Sequence, residues 1–299
     1  SVKGDIMEKQ SLSKYHSFSY GARRGAGRLL SVLGRLFLCL IFGFPFYWMV
    51  ITSLKTKAES IQWPPTMWPR ILSLDGYKTV MTAMDLTKYF KNSLFIIFWV
   101  IVIQLLVMIP AAYAFAKYEF RGKKIMFALV MMAYMTPTVV TFIPVYIMFA
   151  KIQPFGINLL NTLWPQVLPF GANAFGIFLL RQSFMQIPEE VIESARMDNA
   201  GEISIMAHIM VPMSKATIVT VLLFSFINHW NAYFWPLVMC RTDEVKPLIL
   251  AVADIKNVEE GIVWPTMMAG NTLVMLPIII LFVFASQKII ASMAYRGVK

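Results

Sequence analysis

Charge, cysteine and catalytic signature motifs are what this chain has least of. Only 14% of its 299 residues are Asp, Glu, Lys or Arg, against 58% hydrophobic, and the mean hydropathy is +0.63. Soluble domains carry about a quarter charged residues, so this composition points to a membrane protein. Cys39 and Cys240 are the only cysteines and fall in separate apolar stretches, so a disulfide framework is not expected. With three histidines and no H-E-x-x-H there is no zinc site to assign. The phosphate loop G-x-x-x-x-G-K-[ST] and the nucleophile motif G-x-S-x-G are both missing. The chain is therefore predicted not to be an enzyme and to hold no cofactor or metal of its own.

What is there is oil in long pieces. The runs Ser93–Ala116, Ile125–Ala150, Ile152–Leu180, Ala216–Cys240 and Gly261–Gln287 contain no charged residue. Each reaches the roughly 20 residues that a helix needs to cross about 30 Å of hydrocarbon. A further run, Leu36–Leu54, begins just after Arg35, whose side chain can snorkel to the interface. No alternating ten-residue pattern suggests a β-barrel. The expected fold is an all-α integral membrane protein with six transmembrane helices. Most of the 27 Lys and Arg fall in segments 1–35, 117–124, 181–215 and 288–299, which predicts both termini inside. Residues 1–35 read as a basic inner tail and 36–299 as the transmembrane domain, with a core of about 88–290. No cleavable signal peptide is expected, because the first apolar run starts late and is long. Attraction to anionic lipid accounts for the net charge of +11 without nucleic acid.

Ion-coupled transporters keep ionisable residues inside their bundles, and these runs have none except His229. A neutral histidine bonding a neighbouring helix is the plainer reading of His229. A membrane-embedded enzyme would need reactive residues deep in the spans, and none is visible. An ion-coupled secondary transporter stays open as an alternative. If the chain moves a solute uphill, the energy must arrive from another subunit, through a docking surface outside the membrane.

Segment 187–215 is placed to be that surface. Pro188 suits the first turn of a helix, and Glu189, Glu190 and Glu193 favour its N-terminal end. Asn199 and Gly201 can both take the left-handed conformation that ends one. A second helix is expected from Glu202, with Ile203, Met206 and Met210 as its apolar stripe, running to Pro212. The plain alternative is a solvated face on which Glu193 and Arg196 pair at i,i+3 for a few tenths of a kcal/mol. Small Ser194, Ala195 and Ala200 among the charges favour close approach by another protein.

The stretches "ESARMDNA" (Glu193–Ala200) and "IMVP" (Ile209–Pro212) resemble the E-A-A-R-I-D-G-A…I-x-L-P loop of bacterial ABC-importer permeases. "FPFYWMVITSLKTKAE" (Phe44–Glu59), "FLLRQSFMQIPEEVIESA" (Phe178–Ala195) and "WNAYFWPL" (Trp230–Leu237) extend the likeness to the carbohydrate-uptake, maltose-type branch. The resemblance implies the type I importer permease fold in a bacterial inner membrane. It implies a second homologous permease subunit, giving a heterodimer, and two ATP-binding subunits that hold ATP and Mg. An extracytoplasmic solute-binding protein would deliver a sugar, with glycerol-phosphate as the alternative solute. The loop would dock on the ATP-binding subunit through Pro188, Glu189, Glu190, Glu193, Ser194, Ala195, Arg196, Asp198, Asn199, Ala200 and Gly201. Ser194 and Asn199 depart from the family's alanine and glycine, both by residues close in size or backbone tolerance. A bulky charge at Ala195 is expected to uncouple transport with the chain still inserted. The ending "RGVK" (Arg296–Lys299) is also similar to the family's.

Neutral polar and aromatic residues interrupt the runs. Thr136, Pro137, Thr138, Thr141 and Asn173 lie in the third and fourth, Asn228, Trp230, Asn231, Tyr233 and Trp235 in the fifth, and Asn271 and Thr272 in the sixth. Thr138, Asn173, Asn228, Trp230, Asn231, Tyr233 and Asn271 are candidates for contact with an uncharged polyhydroxyl solute. Helix–helix hydrogen bonds and the interfacial aromatic belt explain the same residues. The outer segment 55–91, with "WPPTMWPR" (Trp63–Arg70), suits a cap on the outer mouth, a seat for a solute-binding protein, or an interface-lying stretch.

Overall fold

The computed structural model of the chain describes residues 30–152, 159–255 and 263–294. The tail to residue 29 and the Arg296–Lys299 ending lie outside the described residues. Every regular element among the described residues is helical. Helix α1, Leu30–Ser53, starts ahead of the expected boundary at residue 36. Arg35 extends it by bonding back to the Ser31 carbonyl and hydroxyl, both at 3.1 Å. Then follow α2 (Lys57–Ser60), α3 (Asp75–Ala83), α4 (Leu86–Lys117), α5 (Lys123–Met135) and α6 (Thr138–Ile147). After two short 3₁₀ turns come α7 (Ala174–Met185), α8 (Glu189–Met197), α9 (Glu202–Ile205), α10 (Val211–Met213) and α11 (Lys215–Trp230). The chain ends with α12 (Phe234–Met239), α13 (Leu248–Asp254) and α14 (Trp264–Ala294).

Helices α1, α4 and the Trp264–Val283 part of α14 are each long and apolar enough to cross a membrane. Two bent helix pairs meet the same test of length and hydropathy only when each is taken as one piece: Lys123–Met135 with Thr138–Lys151 at 94°, and Glu202–Met213 with Lys215–Trp230 at 82°. Pro137 accounts for the first bend. It holds Thr136 in extended backbone, ψ 120°, and so stops α5. The Ile152–Leu180 run, expected as one continuous helix, does not form one. Pro165 and Pro169 sit in the 3₁₀ turns Trp164–Gln166 and Leu168–Phe170, and a helix starts only at Ala174, capped by the Asn173 side chain.

Helices α4, α7 and α11 pack face to face. A Cβ on Gly176 would lie 2.6 Å from Met108 Sδ and 3.0 Å from Val221 Cγ1, so the three helices meet where that position has no side chain. Two polar bridges tie the same elements. Gln104 donates to the Phe170 carbonyl at 2.9 Å and accepts from Ser225 Oγ at 2.7 Å, while Ser183 and Ser214 bond at 3.0 Å. The main buried cluster runs from Met108, Ala112 and Phe115 through Leu180 and Phe184 to Ile192, Ile205 and Met210. The bundle core thus continues without a break into segment 187–215.

Candidate functional site

Segment 187–215 is two helices joined by a locked turn. Pro188, with φ −57° and ψ 141°, is the residue before α8 rather than part of its first turn. Helix α8 closes in a Schellman pattern: Ala200 N–H donates to the Ala195 carbonyl at 3.0 Å and Asn199 N–H to the Arg196 carbonyl at 3.0 Å. Asn199 takes the left-handed position at φ 58°. Gly201 does not; its φ is −70°, in extended backbone before α9. The helical path then widens into a π turn over Met206–Met210 before α10 and the bend at Ser214.

The inner face of α8 is fastened to the end of α4. Ile192 is fully buried, and Glu189 and Arg196 flank it one turn away on either side. Lys117, whose side chain is only 6% exposed, donates to the Ile187 carbonyl at 2.7 Å and to Glu189 Oε2 at 3.0 Å. Arg196 Nε donates to Glu202 Oε1 at 3.1 Å, and its guanidinium lies 5.8 Å above the Tyr118 ring. The Tyr113 hydroxyl donates to the other oxygen of Glu202. That bond, with help from Tyr118 and Arg196 and against the effect of burial, holds the Glu202 carboxyl below the usual Glu range. The Glu202 hydrogen bond in turn raises the Arg196 guanidinium. Burial and then Glu202 push the Tyr118 phenol up. Arg181, at the far side, donates to the Phe115 carbonyl at 3.0 Å and covers the Phe127 ring at 4.4 Å.

Arg196 therefore pairs with Glu202 and, at 3.9 Å, with Glu189, and not with Glu193 as the i,i+3 spacing suggests. Glu193 is exposed on the outer face of α8 together with Glu190 and Ser194, whose hydroxyl bonds the Glu190 carbonyl at 2.7 Å. Among the described residues Glu190 and Glu193 have no cationic partner. Two apolar side chains stand out beside them: Met197 is 84% exposed and Ile203 79%. Ile203, expected in the apolar stripe with Met206 and Met210, points outward although α9 starts at Glu202 as expected; the buried side holds Ile205 and Met210, five residues apart across the π turn over Met206–Met210. Asp198 and Asn199 are exposed at the tip, while Ala195 and Ala200 are half-buried against the core.

The candidate solute contacts are scattered in their surroundings. Thr138, Asn228, Asn231 and Tyr233 are exposed, and Asn271 is half-buried. Asn173 caps α7 by accepting from Gly176 N–H at 2.9 Å. Trp230 is packed inside, stacked on Phe226 at 5.5 Å, with its indole N–H donating to the Val274 carbonyl at 2.9 Å. His229 Nδ1 bonds the Ser225 carbonyl of its own helix at 2.7 Å rather than a neighbouring helix, and its ring meets Phe170 edge-on at 5.1 Å. The anchors Lys117, Tyr113 and Tyr118 escaped the sequence reading. Only the position of Lys117, as the first charge after a long apolar run, hinted at a role.

Comparison with known proteins gives the family. The family model described as binding-protein-dependent transport system inner membrane component matches residues 107–294. The chain is 29% identical over 273 residues to the arabinooligosaccharides transport system permease protein AraQ of Halalkalibacterium halodurans, covering 90% of this chain and 96% of that protein. It is 25% identical over 269 residues to the sn-glycerol-3-phosphate transport system permease protein UgpE of Brucella abortus, covering 87% and 92%. Its fold is similar, with TM-score 0.76, 23% identity and coverage of 87% and 96%, to a crystal structure of a bacterial ABC transporter involved in the import of the acidic polysaccharide alginate. The chain belongs to the family of binding-protein-dependent transport system inner membrane components and is a multi-pass protein of the inner membrane.

Proposed function

We propose that this chain is the membrane-spanning permease subunit of an ATP-binding-cassette importer for an uncharged sugar or oligosaccharide. In this reading six crossings with both termini inside carry the solute by alternating access. A second homologous permease completes the path, a solute-binding protein delivers the sugar outside, and two ATP-binding subunits hold ATP and Mg inside. The observation that carries the reading is the two-sidedness of α8. Its inner face is tied to α4 through Lys117, Glu189 and Arg196. Its outer face offers Glu190 and Glu193, without a cationic partner among the described residues, small Ser194 and exposed Met197. Carboxylates and an apolar side chain on a rigid, small-residue surface suit a cleft with basic and apolar walls in a partner protein.

A platform held this way can move the bundle. Displacement of α8 is passed to the end of α4 by the Lys117 bonds and through Arg196 and Glu202 to Tyr113, and to α11 through the bent helix pair from Glu202 to Trp230. A sugar is favoured over glycerol-phosphate because the long apolar runs contain no Lys or Arg to meet a phosphate. The similarity to UgpE keeps glycerol-phosphate as the second reading. Reconstitution of the co-purified complex in liposomes decides between them. Uptake of labelled oligosaccharide that needs both ATP and the binding protein supports the proposal. Uptake of glycerol-3-phosphate alone supports the second reading, and ion-gradient-driven uptake by the isolated chain rejects both.

A further inference from the structure

The outer segment that follows α1 has a built scaffold. Lys55 and Glu59 are charged yet only 2% and 7% exposed. Lys55 lies 4.4 Å over the Trp48 ring and donates to the Thr66 carbonyl. Glu59 accepts from Thr66 Oγ1 at 2.7 Å and from Arg70 N–H at 3.0 Å. The Tyr47 hydroxyl donates to the Met67 carbonyl. These bonds close residues 61–72 into one shape whose outward side chains are Ile61, Trp63, Met67, Trp68, Ile71 and Leu72. Trp63 is 87% exposed. Buried charges hold a shape whose outside is oily, which calls for an apolar surrounding.

The position of Tyr47 says what that surrounding is. Tyr47 stands six residues before the end of α1 at Ser53, which is about 9 Å back along a helix axis. Because Met67 is bonded to Tyr47, the segment folds back alongside the span instead of projecting into water. It is also continuous with the apolar flank of α1, where Phe42, Phe44 and Phe46 are exposed. Paired tryptophans beside aliphatic residues, with the cationic Arg70 at the rim, match the chemistry of the headgroup–acyl boundary. We propose that residues 61–72 form a foot that lies in the lipid interface on the face where α1 ends, with Trp63 and Trp68 inserted at headgroup depth. The occupant of this surface is lipid, not the solute-binding protein or another subunit.

The test uses the whole complex in nanodiscs, with the exposed Cys39 replaced by Ala and an environment-sensitive fluorophore on Trp63→Cys. The reference is the same label on Lys78→Cys, an exposed polar position of α3 in the same outer segment. The expected result is blue-shifted emission at position 63 and loss of fluorescence when the lipids are brominated, with neither at position 78. Trp68→Cys serves as an independent second label, expected to behave like position 63. Neither tryptophan is buried, so replacing it leaves the fold intact. A label at 63 that stays bright in brominated lipid overturns the proposal. Water-like emission would then mean an exposed loop, and emission that turns water-like only on stripping a partner would mean a protein interface. The readout needs no transport, so it stands or falls separately from the importer reading.

Discussion

The two segments that leave the bundle, residues 55–74 after α1 and 187–215 between α7 and α11, are built by the same device for opposite surroundings. Each is fastened by charged side chains: the buried Lys55 and Glu59 in the first, and Arg196 and Glu202 together with Lys117 at the end of α4 in the second. Each leaves the side chains on its other side exposed. The outward side of the first is tryptophan and aliphatic; that of the second is carboxylate and small, with Met197 and Ile203 at the tip. Charged hydrogen bonds and ion pairs of this kind add little net stability, but they fix a shape, and the free face of that shape reports what it meets. The inner platform differs in one further respect. Its apolar side chains are part of the bundle core, whereas the outer foot sits beside the bundle and reaches it mainly through α3 and α14.

That difference predicts where each segment breaks. Ile192→Asp should give the largest effect. It places an unpaired charge in the shared core and should cost about 3 kcal/mol or more, seen as a lower Tm in detergent and lost coupling. Lys117→Met should cost about 1–3 kcal/mol by leaving the Ile187 carbonyl unsatisfied and Glu189 with only its longer contact to Arg196. Its diagnostic is stimulated ATP hydrolysis without matching uptake, since the latch from platform to α4 is gone. On the outer side, Gly76→Ala puts a Cβ 2.7 Å from the Pro265 carbonyl oxygen and should cost about 1–2 kcal/mol by overpacking. Proteolysis of the outer segment should rise in that variant while the inner platform stays protected. Asn199→Gly should be the mildest, raising stability by about 0.5 kcal/mol at the left-handed position; a lower Tm would contradict the turn geometry.

Much of this was legible in the sequence, for physical reasons. Hydrocarbon thickness makes long uncharged runs readable, so α1, α4 and α14 fall where composition places them. The carboxylates after Pro188 and the residues at Asn199 mark a helix start and stop by local chemistry alone. Local rules failed where tertiary contacts decide. Glu193 and Arg196 have the spacing of a pair, yet Arg196 turns inward to Glu202 because Tyr113 and Tyr118 offer a shared site on another helix. Hydrophobicity alone makes Ile152–Leu180 look like a single span, yet Pro165 and Pro169 break the helix there. Ala195 matches the resemblance's small contact residue, but it is half-buried against its own core. A bulky charge there would disturb α8 itself, so Ser194 on the open face is the better probe.

The most direct test is therefore purification of the Ser194→Arg chain from its native membrane in mild detergent, with the co-purifying subunits quantified by mass spectrometry. The account predicts that the P-loop ATPase is lost while the second permease still co-purifies and the chain keeps its wild-type Tm. Retention of the ATPase at wild-type stoichiometry would contradict the docking role of the outer face of α8.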